Sequence, residues 1–123
     1  MGLDMYAYKT KAKPETETDF STINFDEQEI HYWRKHPNLH GWMENLYYSK
    51  GGERESFNCV PVELNTDDLL ELREAITTES LPQTAGFFFG QTDGTEREDD
   101  LKFVDTALKA INEGYTIYYS SWW

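Results

Sequence analysis

Cysteine is nearly missing from these 123 residues: Cys59 stands alone. No internal disulfide can form, and the expected setting is reducing cytoplasm. No apolar run approaches the roughly 18 residues that a membrane-spanning helix needs, and the N-terminus has no stretch like the apolar core of a signal peptide. Basic residues are also scarce, with 11 Lys and Arg against 23 Asp and Glu and a formal net charge of -12. Residues 1–59 hold 10 acidic and 7 basic side chains, and residues 60–123 hold 13 and 4. Affinity for phosphate backbones and anionic lipid comes from Lys and Arg, so neither nucleic acid nor a membrane surface is an expected partner. An acidic surface can instead imitate nucleic acid towards a DNA-binding protein, or simply keep a small protein soluble. Glycine-rich phosphate loops are lacking as well. Lys50-Gly51-Gly52 does not have GxxxxGK[ST] spacing and no GxGxxG occurs, so no nucleotide cofactor is expected.

What the chain does have is aromatic area: 4 Trp, 8 Tyr and 7 Phe, 15% of the residues. Each such side chain buries about 150 to 250 Å². The length fits a single domain over 1–123 with one core.

Periodicity gives an order of elements. Residues 2–13 open with β-favouring side chains and then place Lys9, Lys11 and Lys13 at alternate positions, which predicts a first strand whose far end leaves the core. Residues 14–25 read as a polar surface loop. Residues 29–35 fit a short strand or an irregular lead-in, and Pro37 then suits a first helical position. Leu39, Trp42, Met43 and Leu46 make one apolar face of a helix over 37–49, in which Gly41 implies close packing. Residues 57–64 predict a strand, with Pro61 marking an edge or bulge and Cys59 as a small buried side chain. Asn65, with Asp68 three places on, caps a helix over 66–78 with a stripe of Leu69, Leu72 and Ile76.

Gly86-Phe87-Phe88-Phe89-Gly90 is too apolar for an exposed loop and predicts a buried central strand. Its aromatics would alternate faces, so both faces need cover. A face left open by the helices falls to loop 14–25, to Trp122 and Trp123, or to a second subunit. Thr95 and Glu98 have capping-box spacing for a third helix, with Leu101, Val104, Leu108 and Ile111 as its stripe and Gly114 as its left-handed cap. Residues 115–122 predict an interior last strand. Together these describe an α+β domain, a mostly antiparallel sheet of four to five strands with three helices.

No residue set announces its chemistry. His36, His40 and Glu44 are four apart and could face one way as metal ligands, but HExxH spacing and a fourth ligand are lacking. The acidic pairs at 67–68 and 99–100 sit where a helix dipole explains them. Arg34, beside Trp33, could grip a carboxylate or phosphate. Gln83 and Thr84 could offer hydrogen bonds at the mouth of a strand.

The start Gly2-Leu3-Asp4-Met5-Tyr6, the run Tyr32-Trp33-Arg34-Lys35 with His40 and Trp42, Asn58-Cys59, Leu81-Pro82 with Thr84, residues 86–90, and Ser120-Ser121-Trp122 resemble, end to end, a family of small uncharacterised phage and bacterial proteins. Some members carry a phosphoglycerate kinase label, which this chain contradicts, being too short for that two-domain enzyme and lacking a nucleotide site. The resemblance stresses Asp4, Trp33, Arg34, His40, Gln83, Thr84 and Trp122, and does not include His36. It implies host cytoplasm and an accessory role. The reading is therefore an acidic accessory protein that binds and modulates a host or phage protein without catalysis. Asp4, Trp33, Arg34, His40, Gln83, Thr84, Phe88 and Trp122 are its binding residues, cofactors are not expected, and a homodimer is compatible. The alternative is a small-molecule-binding protein or hydrolase with Asp4, Arg34, His40 and Thr84 around one pocket, and a third reading makes those polar groups a buried structural network.

Overall fold

The computed structural model describes residues 2–86, 89–92 and 94–123. Seven elements follow one another: β1 (Asp4–Thr10), β2 (Gln28–Arg34), α1 (Pro37–Ser49), β3 (Val62–Leu64), α2 (Thr66–Thr77), α3 (Arg97–Asn112) and β4 (Thr116–Trp122). The strands form one antiparallel sheet in the order β2-β1-β4-β3. The fold is thus α+β, with four strands and three helices among the described residues.

The interior strands are β1 and β4, paired over their whole lengths from Asp4↔Trp122 to Thr10↔Thr116. Alternation sends Leu3, Met5 and Ala7 of the first segment, and Ile117 and Tyr119 of the last, into a core shared with Trp33, Leu39, Met43, Leu69, Leu72, Phe103 and Val104. The helices cover this inner face. Tyr6, Tyr8, Tyr32, Tyr118 and Trp122 alternate to the outer face, where Tyr32, Tyr6, Tyr8 and Tyr118 run as a chain of ring contacts 5.1 to 6.0 Å apart.

Segment 14–25, expected to be a plain surface loop, has two structural tasks. The Glu63 amide donates to the Glu17 carbonyl (2.9 Å) and Thr18 bridges Val62, so the segment lines the outer edge of β3. Phe20 and Phe25 then pack on Tyr118, with ring centroids at 5.6 and 6.2 Å, and cover one end of the outer face. An unpaired edge and an exposed ring are satisfied together.

Other expectations need correction. Of the central strand predicted at residues 86–90, Phe87 and Phe88 lie outside the described residues, Gly86 and Gly90 are not in a strand, and neither is Phe89. Its amide donates to the Gly86 carbonyl at 3.1 Å, closing a turn, and Gly90 has φ +74°. Phe89 is buried against the rings of His40 and Trp123 rather than paired in the sheet. The strand expected over 57–64 shrinks to Val62–Leu64 because Cys59 takes φ +61°, which breaks extension and leaves the cysteine exposed rather than buried. The third helix begins at Arg97 behind Glu96, later than the Thr95 signal, with Glu98, Asp99 and Asp100 at its positive end. Its buried stripe is Asp100, Phe103, Val104, Ala107 and Ala110, while Leu101, Leu108 and Ile111 are half-buried flanks. Small alanines let the helix lie close to its neighbours, a packing choice that hydrophobic spacing does not reveal.

The other caps are as the sequence indicates. Asn65 and Asp68 form a reciprocal capping box at α2, and Gly114 follows α3 with φ +95°. Gly41 is required by contact: a Cβ there would lie 1.9 Å from Thr84 Oγ1 and 2.9 Å from its Cβ. Gly41→Ala should therefore destabilise the protein by about 1 to 3 kcal/mol despite alanine's better helix propensity, since overpacking exceeds that gain. Urea unfolding measures this, and adding Thr84→Gly should recover most of the loss.

Candidate functional site

Register gathers Asp4, Trp33, Arg34 and Trp122 at one end of the sheet. Asp4 opens β1 and pairs across with Arg34 on one side and Trp122 on the other, while Met5 pairs with Trp33. Strand alternation then divides them between two faces.

Asp4, Arg34 and Trp122 meet on the outer face. Arg34 Nη1 and the Tyr32 hydroxyl both donate to Asp4 Oδ1 at 2.6 Å. The Tyr32 bond, followed by Arg34, holds the Asp4 carboxyl below the usual carboxylate range against the opposing effect of burial. The same bonds raise the Tyr32 and Arg34 pKa values. Asp4 also lines a cavity of about 240 Å³ with Gly2, Trp122 and Trp123. Trp122 is 65% exposed and Tyr32 45% exposed, unusual for rings of that size in a chain whose other tryptophans are half-buried or buried. Gly2 lies beside them, where a Cβ would sit 2.7 Å from the movable end of Arg34 at Nη2.

Trp33 turns the other way and is 4% exposed. Its indole N–H donates to Asp100 Oδ1 at 3.0 Å, and Asp100 Oδ2 bonds His36 Nε2 at 2.7 Å. His36 Nδ1 in turn meets Thr92 Oγ1 at 2.9 Å. That oxygen also accepts the Asn38 amide at 3.1 Å, serving the start of α1, where His36 itself supplies no side-chain cap.

His40, on the inner face, is 1% exposed and enclosed by rings: Trp123 at 4.9 Å, Phe89 at 5.1 Å, Phe57 at 5.2 Å and Tyr119 at 6.0 Å between centroids. Its Nδ1 bonds the Tyr119 hydroxyl at 2.7 Å, and its Nε2 has no partner among the described residues. Asn58 holds Trp123 in place, accepting its amide and donating to its carbonyl, each at 3.1 Å. Burial drives the Tyr119 hydroxyl well above its ordinary pKa. Burial alone lowers His40 to about 4.

Thr84 packs on Gly41 and donates its amide to Asn38 Oδ1 at 3.1 Å, so it belongs to the inner side. Gln83 is exposed, and Phe88 lies outside the described residues. The four groups of the alternative pocket therefore divide into Asp4 with Arg34 outside, and His40 with Thr84 inside. His36 and His40 are both buried, but each imidazole is bonded to different partners, and no metal-holding group of three His, Cys, Asp or Glu occurs among the described residues. Tyr32 and Thr92 take part without having been singled out, Asp100 had been assigned to the helix dipole alone, and Trp123 had been named only as cover. Tyr32, adjacent to Trp33 and Arg34, carried a sequence signal, since strand alternation puts it on the Arg34 face.

No family model, curated protein or solved structure matches the chain.

The His40 cage makes stability depend on pH. The folded-state pKa of about 4 lies below the ordinary 6.5, so the contribution is complete above pH 6.5 and is lost as pH falls from 6.5 towards 4. The loss should be on the order of 3 kcal/mol. Chemical unfolding at pH 7 and pH 4.5 should show a fall that is smaller in His40→Leu, and equal falls in both proteins would exclude His40 as the source.

Proposed function

We propose that the chain is a small protein-binding accessory factor that docks a partner protein on the outer face of its sheet, around Tyr32, Arg34 and Trp122. One observation carries this reading: two large rings, 45% and 65% exposed, flank the Asp4–Arg34 pair on a sheet face away from the helices. Trp, Tyr and Arg dominate the energetic centres of protein interfaces because they bury large, rigid area and still offer hydrogen bonds. The adjoining cavity of about 240 Å³ accommodates one side chain of the partner beside Trp122.

The charge of -12 selects the partner's chemistry. A protein with basic residues around an apolar centre is attracted at long range and can seat that centre on the tyrosine row. The resemblance to phage proteins implies an encounter in host cytoplasm, with a host or phage protein as the partner modulated.

Once a candidate partner from host lysate has been identified and purified, titration decides the reading. Trp122→Ala and Arg34→Ala should each weaken binding tenfold or more, about 1.4 kcal/mol. Both should leave the melting temperature nearly unchanged, since exposed ion pairs contribute little. Lys109→Ala, in the last turn of α3, is the control and should bind normally. Equal affinity of all four proteins would defeat the proposal. So would sedimentation showing that a second copy of this chain occupies the face.

A further inference from the structure

A second cavity, of about 250 Å³, lies on the helix side of the sheet, away from the docking face. Asn38, Gln83, Thr92 and Arg97 are on its wall, along with His36 and Asp100. His36 and Asp100 are each 2% exposed, whereas Thr92 is half-buried. Two buried ionisable groups bonded in series to a hydroxyl at a cavity wall exceed what capping α1 requires, because the Thr92 oxygen alone performs that task.

The Trp33 indole fixes one end of the chain, and one tautomer of His36 gives it a direction from carboxylate to hydroxyl. The Trp33 indole N–H can only donate, so Asp100 Oδ1 accepts and the carboxylate is held against rotation. In the tautomer that donates Nε2–H to Oδ2 across 2.7 Å, the Nδ1 lone pair faces Thr92 at 2.9 Å. Because Thr92 Oγ1 already accepts the Asn38 amide, its proton is free to point at His36. That amide lies in the first turn of α1, where backbone dipoles stabilise negative charge growing on the oxygen. The order carboxylate, imidazole, hydroxyl is that of an activated nucleophile, assembled here from three separate segments.

We propose that this cavity is an acyl-transfer site for short-chain esters, with Thr92 as nucleophile, His36 as general base and Asp100 as the positioning residue. Thr92 Oγ1 bonds to the ester carbonyl carbon while its proton passes to His36 Nδ1. Glu96 Oε2, 3.9 Å from that nitrogen, favours the imidazolium so formed. The proton then moves to the departing alcohol oxygen as the ester C–O bond breaks, leaving an acyl-threonine. Water, deprotonated by the same nitrogen, hydrolyses that intermediate to a carboxylic acid and free Thr92. Asn38, whose Oδ1 is taken by the Thr84 amide, keeps its Nδ2 group to donate to the developing oxyanion, and Gln83 offers a second amide. A cavity of this volume lies below the range of drug-sized pockets, which restricts the acyl group to a few carbons.

The test uses the full chain with a fluorophosphonate probe, followed by peptide mass spectrometry, and with p-nitrophenyl acetate as a small ester. One adduct is expected, on Thr92. It should be absent in Thr92→Val, kept in Thr92→Ser, and formed about a hundredfold more slowly or less in His36→Gln. Asp100→Asn should lower kcat for the ester with KM unchanged, an effect that loss of packing alone does not give. If the His36 and Asp100 variants fail to fold, comparison of the unsubstituted protein with Thr92→Val and Thr92→Ser decides by itself. No adduct on Thr92 in the unsubstituted protein overturns the proposal, as does an undiminished labelling rate in a folded His36→Gln protein.

Discussion

A buried carboxylate holds this fold together at its busiest junction. Asp100, 2% exposed in the first turn of α3, accepts from the Trp33 indole of β2 and bonds His36 at the entrance to α1. A charge in that position is tolerable only when both oxygens are bonded, and breaking such a set exposes several groups to the cost of being unpaired at once. The start of α3 is thereby tied to the neighbouring ends of β2 and α1, 67 and 64 positions away. The positive end of α3 adds to the stabilisation of the charge.

The outer face inherits its geometry from that inner anchor. With Trp33 bonded inward, strand alternation sends Tyr32 and Arg34 outward, and the antiparallel register sets Asp4 beside Arg34 and Trp122 beside Asp4. Lys35 then takes φ +55° and donates its amide to the Leu3 carbonyl at 2.9 Å, ending β2 and turning the chain so that His36 drops into the interior. One residue of left-handed backbone separates the exposed Arg34 from the buried His36. The two candidate sites, docking face outside and hydroxyl relay inside, are consequences of the same anchored strand end.

Much of the architecture was legible because its signals are local. Helices α1 and α2 end within a residue of where their apolar spacing, Pro37 and Asn65 place them, and the last strand is interior as its β-branched and aromatic content suggests. Phe89 misled because apolarity reports burial without reporting conformation: it is buried outside any strand, edge-on to the rings of His40 and Trp123. Cys59 misled for a related reason. Its neighbours favour extension, but its amide donates to the Ser121 carbonyl at 2.8 Å in a left-handed conformation that no local rule predicts.

The division of labour follows from range. Sequence alone determined the class of fold, the helices, the acidic surface and the set of polar and aromatic residues gathered at one sheet end, because each depends on neighbours within a few positions or on composition. Tertiary structure alone decided which of those residues share a face. It set Arg34 against Asp4, and it paired His36 with an aspartate 64 positions away and a threonine 56 away. Those bonds exist because buried polar groups must find partners wherever the packed core makes them available, and that choice is not written in any local stretch of the chain.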